Sequence, residues 1–339
     1  MKKIFYFHRL FPKISTNISD SELIDLIRQI TFTSNKDNIS RTDAYQRFYM
    51  KHTEIRWAFL ASMVSRNAGW NMCDLVHPLF QASVDPRTRE RLFLTYERAN
   101  WLIFHDAFPQ LLLYHYSTIL KRPLFHLLKG FCVSEFMHGE WQRFWAENDH
   151  SRLTISLIIN EQNLIQEPII MHPLYKKRVF KTILFHLQDF FHFSCVIFPT
   201  LQGNLFGASV SKFTDLNARI DLGKRLQKIL FHPDLYPYFL TFAKNVTHTG
   251  SRYDYKKLNP FRHEREMTLL RAAYPIVEHH ITEQQDWSAL GKIHSRWFAD
   301  VDFQESIMLT EWFDGKRLKQ DRLLKVKSLL NEIMGKTDM

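Results

Sequence analysis

The sequence predicts an all-α fold, a single irregular multi-helix domain with an aromatic-rich core, and three observations carry that prediction. The 339 residues include only 10 glycines against 29 phenylalanines, and scarce glycine leaves few tight turns or hairpins, which favours long helices. Apolar residues recur at spacings of three and four, most clearly in Trp57, Leu60, Ala61, Val64 and Ala68. Helix-start signals stand before such runs, and no Pro- or Ser-rich linker, repeat or low-complexity tract divides them. Residues 1–339 therefore read as one unit, long enough to bury a substantial core.

In chain order, Ser19 with Glu22 forms a capping box before an apolar face of Leu23, Leu26, Ile27 and Ile30. Ser40 with Asp43 reads as a second one, before Ala44, Phe48 and Tyr49. Thr53 is the expected N-cap of a helix over 53–68, with Gly69 as its left-handed C-terminal cap. Asp85 and Pro86 open a longer helix over 86–107, which Pro109 ends or kinks. Leu111 to Leu120 follows as a separate apolar segment, and Val133 to Trp145 as a helix. Leu153 to Ile159 reads as helix or short strand, because periodicity alone does not separate the two. Helices are then expected from Pro173, over Asp215–Phe231, Leu235–Val246, His263–Ala273 and Gln304–Phe313, and over a basic amphipathic C-terminal stretch, 316–334.

Phe190 to Ser211 carries no Asp, Glu, Lys or Arg. That is spanning length, but His192, Pro199, Gln202, Gly203, Asn204 and Gly207 would be costly in hydrocarbon, so a buried helix end and turn is expected and no transmembrane helix. The three cysteines, Cys73, Cys132 and Cys195, show no paired spacing and read as buried thiols of a reducing compartment. No signal-peptide pattern follows the N-terminal lysines, so the expected location is cytoplasmic. A formal charge of +10 implies attraction to a polyanion, nucleic acid or an anionic membrane surface. Residues 316–334 would suit peripheral membrane contact.

Chemistry-bearing residues gather in three places. The first is the polar knot of Ser65, Arg66, Asn67, Asn71 and Asp74 at the end of the apolar helix. The second is Tyr96 to Gln110, with Glu97, Arg98, Asn100 and Asp106. If the two helices pack antiparallel, Arg66 and Asn71 come within hydrogen-bonding reach of Glu97, Arg98, Asn100 or Asp106 and form one pocket. The competing reading is structural, with Arg66 and Asp74 tying down a helix end. The third is the loop Thr249, Gly250, Ser251 and Arg252, whose donors suit a phosphate or carboxylate. His77 with the adjacent pair His105–Asp106 resembles the ligand pattern of HD-type metal phosphohydrolases, although no distant aspartate is marked as the last ligand. His279–His280 and His186 with His192 lack the i, i+4 spacing of a metal pair. No Gly-rich phosphate loop, dinucleotide fingerprint, nucleophile elbow or H-E-x-x-H helix is present, and no cofactor is implied.

Four long blocks, NISRTDAYQRFYMKHTEIRWAFLASMVSRNAGWNMCDL, YERANWLIFHDAFPQLLLYHYS, PTLQGNLFGASV and HTGSRYDY, resemble a bacterial family known as domain of unknown function 2515, from Bacillus-type organisms. The resemblance runs from about Ile18 to beyond Trp312. It implies a cytosolic bacterial protein built as one unit and supplies no catalytic residue. The functional expectation is a non-catalytic binding or interaction protein holding an anionic ligand or partner. The alternative is a hydrolase, metal-dependent and HD-like, with its site between the helices over 53–68 and 86–107.

Overall fold

The computed structural model describes residues 10–172, 195–210, 212–256, 258, 268–280, 286–291, 293–301, 307–312 and 315. These are mainly helical, with one small β-hairpin. The expected helix over 316–334 and the start of the one from Pro173 lie outside the described residues, as do 263–267, 304–306 and 313. Of the helices expected over His263–Ala273 and Gln304–Phe313, the described residues include the short helical turn Leu270–Ala273 and an extended run at 307–309 that bonds to the hairpin.

Helix α1, Asp20–Ser34, starts at the expected capping box: Ser19 Oγ accepts from the Glu22 amide, and the Glu22 carboxylate accepts from the Ser19 amide. Helix α2, Asn38–Lys51, is capped by Asp37 rather than Ser40, because the Asp37 carboxylate accepts from the Ser40 amide at 2.7 Å. Helix α3, Arg56–Asp74, begins later than Thr53 and runs straight through Gly69. Gly69 is there for space, not as a cap. A Cβ would collide with Asn38 Oδ1 and come within 2.9 Å of His248 Nε2.

After the short α4, Pro78–Ser83, helix α5, Pro86–Leu120, is one continuous 35-residue element. Asp85 caps it as expected, but Pro109 neither ends nor divides it. Its central turns, including Phe104, Phe108, Leu111, Leu112 and Leu113, are sealed in the core, and that packing outweighs the one backbone bond a proline forfeits. A 3₁₀ segment, Phe125–Phe131, leads to α6, Glu135–Glu147, and α7, His150–Leu164, which settles Leu153–Ile159 as helix.

The charge-poor stretch is the main departure. Its described part is an antiparallel hairpin, β1 Cys195–Pro199 with β2 Leu205–Ser209, paired Ile197 to Gly207, and not a helix end. Gly203 turns the chain at φ 85°, and a Cβ on Gly207 would strike the Val196 carbonyl. Residues 307–309 add to β2: the Gly207 amide donates to Ile307 O and the Leu309 amide to Leu205 O. Helices α8, Leu216–Leu230, and α9, Tyr236–Asn245, follow as expected, then the short α10, Tyr253–Lys256, α11, Leu270–Ala273, and α12, Trp287–Leu290.

One hydrophobic cluster threads these elements, with Phe48, Trp57, Phe59, Trp70, Phe104, Phe125, Trp141 and Phe239 at its centre. Among the described residues, most of the aromatic excess is therefore core. Cys73 and Cys195 are buried thiols as expected, whereas Cys132 is exposed. Among the described residues no helix is long and apolar enough to cross a membrane.

Candidate functional site

Arg66 is 1% exposed, and its guanidinium closes the end of α9. It donates to Val246 O at 3.0 Å, Ala243 O at 3.3 Å and Gln46 Oε1 at 2.9 Å. Helix C-termini leave carbonyls without partners, and a cation there also meets the negative end of the helix dipole. Burial lowers its pKa to about 10, so it keeps its charge. Its partners are therefore not Glu97, Arg98, Asn100 or Asp106, and the pocket expected around it is filled by α9. Asn67 closes the edge of the hairpin: its amide donates to Ile197 O at 2.8 Å and accepts from the Ile197 amide at 2.9 Å, as a neighbouring strand would.

Asn71 and Asp74 turn instead to the third candidate place. Arg252 donates to Asp74 Oδ2 at 2.6 Å and to Asn71 Oδ1 at 2.9 Å, and its third nitrogen to Tyr255 Oη. Beneath it Asp254, 1% exposed, accepts from Trp70 Nε1, from the Thr249 amide and from the Thr249 hydroxyl. His248 sits between Asp254 Oδ2, 3.1 Å away, and Asn38 Oδ1, 2.8 Å away. Burial holds the His248 pKa down, against the pull of Asp254. Burial also pushes the Asp254 carboxyl upward, but His248, Thr249 and Trp70 outweigh it and keep its pKa low. Gly250, at φ 75°, makes the turn and has no room for a Cβ beside Leu270. The loop expected to offer donors to an anion thus spends them on Asp254 and Asp74. Asn71 also bonds to Tyr96, which links this knot to the second candidate stretch.

That second stretch divides along α5. Glu97, Trp101 and His105 share one face at i, i+4, i+8. Glu97 pairs with Arg41 at 2.5 Å, and its other oxygen lies 3.7 Å from His279 Nε2. Burial works to raise the Glu97 pKa, but the Arg41 charge and nearby His279 prevail and lower it. The Trp101 ring carries His105 stacked at 5.0 Å, His279 tilted at 5.2 Å and the Arg98 guanidinium at 4.8 Å. Here His105 Nδ1, His279 Nε2, Arg41 Nε and Glu97 Oε1 are all buried without a hydrogen-bond partner. Among the described residues Asn100 bonds only locally, to Tyr96 O.

Asp106 points elsewhere. Consecutive helix residues diverge by about 100°, so His105 faces Trp101 while Asp106, 2% exposed, enters the core. Its Oδ2 accepts from Gln110 Nε2 at 2.7 Å and Asn160 Nδ2 at 2.6 Å, and burial pushes its pKa up to about 7. His77 lies beyond the end of α3, at the start of α4. Among the described residues no group of three His, Cys, Asp or Glu is placed to hold a metal.

The pattern match to the family model spans residues 33–313. This chain belongs to the family described as "Protein of unknown function (DUF2515)". A relative, "Uncharacterized protein YppC" of Bacillus subtilis (strain 168), is 48% identical over 312 residues, covering 92% of this chain and 97% of the relative. No solved structure matches. Sequence reasoning missed Asn38, Arg41, Trp70, Asp254 and His279 as members of these centres. Trp101 carried a signal, an aromatic between Arg98 and His105 at helical spacing, that went unused.

Proposed function

We propose that this protein is a non-catalytic binding protein that holds a small anionic ligand, of the phosphate or carboxylate class, against Trp101. The observation that carries the reading is the buried His105 Nδ1, which has no hydrogen-bond partner, beside the same tryptophan ring as His279, whose Nε2 lies 3.7 Å from Glu97 Oε1, beyond hydrogen-bond length. A buried polar atom without a partner costs about 1–3 kcal/mol, and a ligand group that bonds to it there removes the cost. Arg98, over the same ring, supplies charge, and its bidentate geometry suits such an oxyanion. Glu97 Oε1 would accept a proton-bearing oxygen of a monoanion.

The basic surface contributes less than the whole-chain charge of +10 implies. The described residues carry acidic and basic side chains in near balance, and the excess resides mainly on 1–9, 173–194 and 316–339. Tryptophan fluorescence titrated with inorganic phosphate, AMP and citrate tests the reading. Saturable quenching that His105→Ala and Arg98→Ala each weaken at least tenfold supports it, and unchanged affinity in both variants refutes it.

A hydrolase is the second reading. It is favoured by the Asp106 carboxyl, pushed to about 7, in the range of a general acid working near neutrality. Turnover of p-nitrophenyl phosphate with and without added divalent metal, lost in Asp106→Asn, would establish it.

A further inference from the structure

Residues 286–290 cap a helix that begins 151 residues earlier in the chain. Asp286 Oδ2 accepts from the Glu135 amide at 2.9 Å, and Ser288 Oγ accepts from the Phe136 amide at 3.2 Å. These are the first amides of α6, which have no intrahelical acceptor, and the Asp286 charge meets the positive end of the helix dipole. Between them Trp287 lies edge-on to Phe136 at 5.3 Å, and its indole nitrogen donates to Asn160 Oδ1 at 2.8 Å.

Asn160 is the hinge of the arrangement. Its oxygen accepts from Trp287 and from Ser134, and its nitrogen donates to Asp106 Oδ2. A single chain of hydrogen bonds therefore runs from the surface segment to the buried carboxyl, and Gln110 and Trp141 extend it on the far side. We propose that the 286–290 segment is a plug whose seating is coupled to the proton on Asp106, so that it seats with Asp106 neutral and loosens when Asp106 ionises.

The electrostatics run the same way. The groups that act on Asp106 are Asn160 and Gln110, by hydrogen bond, and Asp286, by charge. Tyr45, on α2, lies in the fields of Asp106, Glu161 and Arg41. With the plug seated, burial first and the Asp286 charge in addition raise the carboxyl, while the two amides oppose them. Unseating Trp287 admits water to Asn160 and Asp106 and returns the carboxyl toward its ordinary range. The state that binds the proton less tightly gains as pH rises. Opening therefore increases by up to about tenfold per pH unit between about 4 and 7 and levels off above.

The Glu135 and Phe136 amides report on the plug directly, because Asp286 and Ser288 are their acceptors. Hydrogen exchange followed by mass spectrometry over 133–138, expressed as protection factors to remove the intrinsic pH dependence, should show protection falling at least tenfold from pH 5 to pH 7. Asp106→Asn, which keeps the shape and cannot ionise, should hold protection constant across that range. Ser288→Ala should lower protection equally at every pH, which separates a weaker plug from a coupled one. Should Asp106→Asn fail to fold, Asp286→Asn takes its place, with a shallower fall expected because one source of the raised carboxyl is gone. Flat protection in the wild type, or an undiminished fall in Asp106→Asn or Asp286→Asn, overturns the proposal.

Discussion

Around Asp254 the polar side chains of Asn38, Trp70, Asn71, Arg252 and Thr249 are engaged with one another; around Trp101 two imidazole nitrogens, a guanidinium nitrogen and a carboxylate oxygen are not. Both centres are buried, and both draw on residues that look alike in the sequence. A closed network holds segments together and has nothing left to offer a ligand. An open one retains the cost of its unmet atoms until something binds. The difference separates framework from candidate site more sharply than residue type does.

The comparison predicts its largest effect in the closed network. Arg252→Ala leaves the half-buried Asp74 and the buried Asn71 without their donor, and losing hydrogen bonds to a charged group costs about 1.5–3 kcal/mol. Chemical denaturation should show that loss, with phosphate affinity of the refolded protein unchanged. Gly69→Ala should come next. Alanine favours a helix interior by about 1 kcal/mol, yet here it drives into Asn38 and His248, and overpacking of about 1–3 kcal/mol should leave the variant less stable.

Two titrations oppose each other in the pH dependence of stability. Asp106 is raised from 3.8 to about 7 by burial, so the folded state binds its proton more tightly, and stability falls as pH rises from about 4 to 7. Burial, His52 and Lys51 lower His115 from 6.5 to about 3, so the unfolded chain takes that proton first, and stability falls as pH drops from 6.5 toward 3. Each contributes at most about 1.4 kcal/mol per pH unit. Burial raises Glu161 to about 7 as well, so it works in the direction of Asp106 and against His115. Relative to the wild type, Asp106→Asn should remove one downward slope and show steeper acid lability between about pH 4 and 6.5 in urea melts. The smallest effect on stability belongs to the open cluster: His105→Ala should change folding by less than about 1 kcal/mol.

Local features were legible in the sequence. The Ser19–Glu22 box, the Asp85–Pro86 start and the faces of α8 and α9 depend on residues within a turn or two of each other. Pro109 misled because the fate of a helix at proline is decided by what packs on it. The hairpin at 195–209 was hidden because freedom from charge identifies burial, and Pro199, Gly203 and Gly207 break a helix and shape a turn alike. Arg66 was recognised as a residue that needs partners, but two of its three acceptors lie 177 and 180 residues away, and no local pattern ranks one distant acceptor above another.

The central claim is that Trp101 marks a site where a ligand completes what the fold leaves open. The direct measurement is the NMR signals of the His105 and His279 ring nitrogens during titration with inorganic phosphate at constant pH, with His248 as the internal control. Saturable shifts at His105 and His279, with His248 unmoved, are predicted. Equal small shifts at all three, or none up to millimolar phosphate, AMP and citrate, would contradict it.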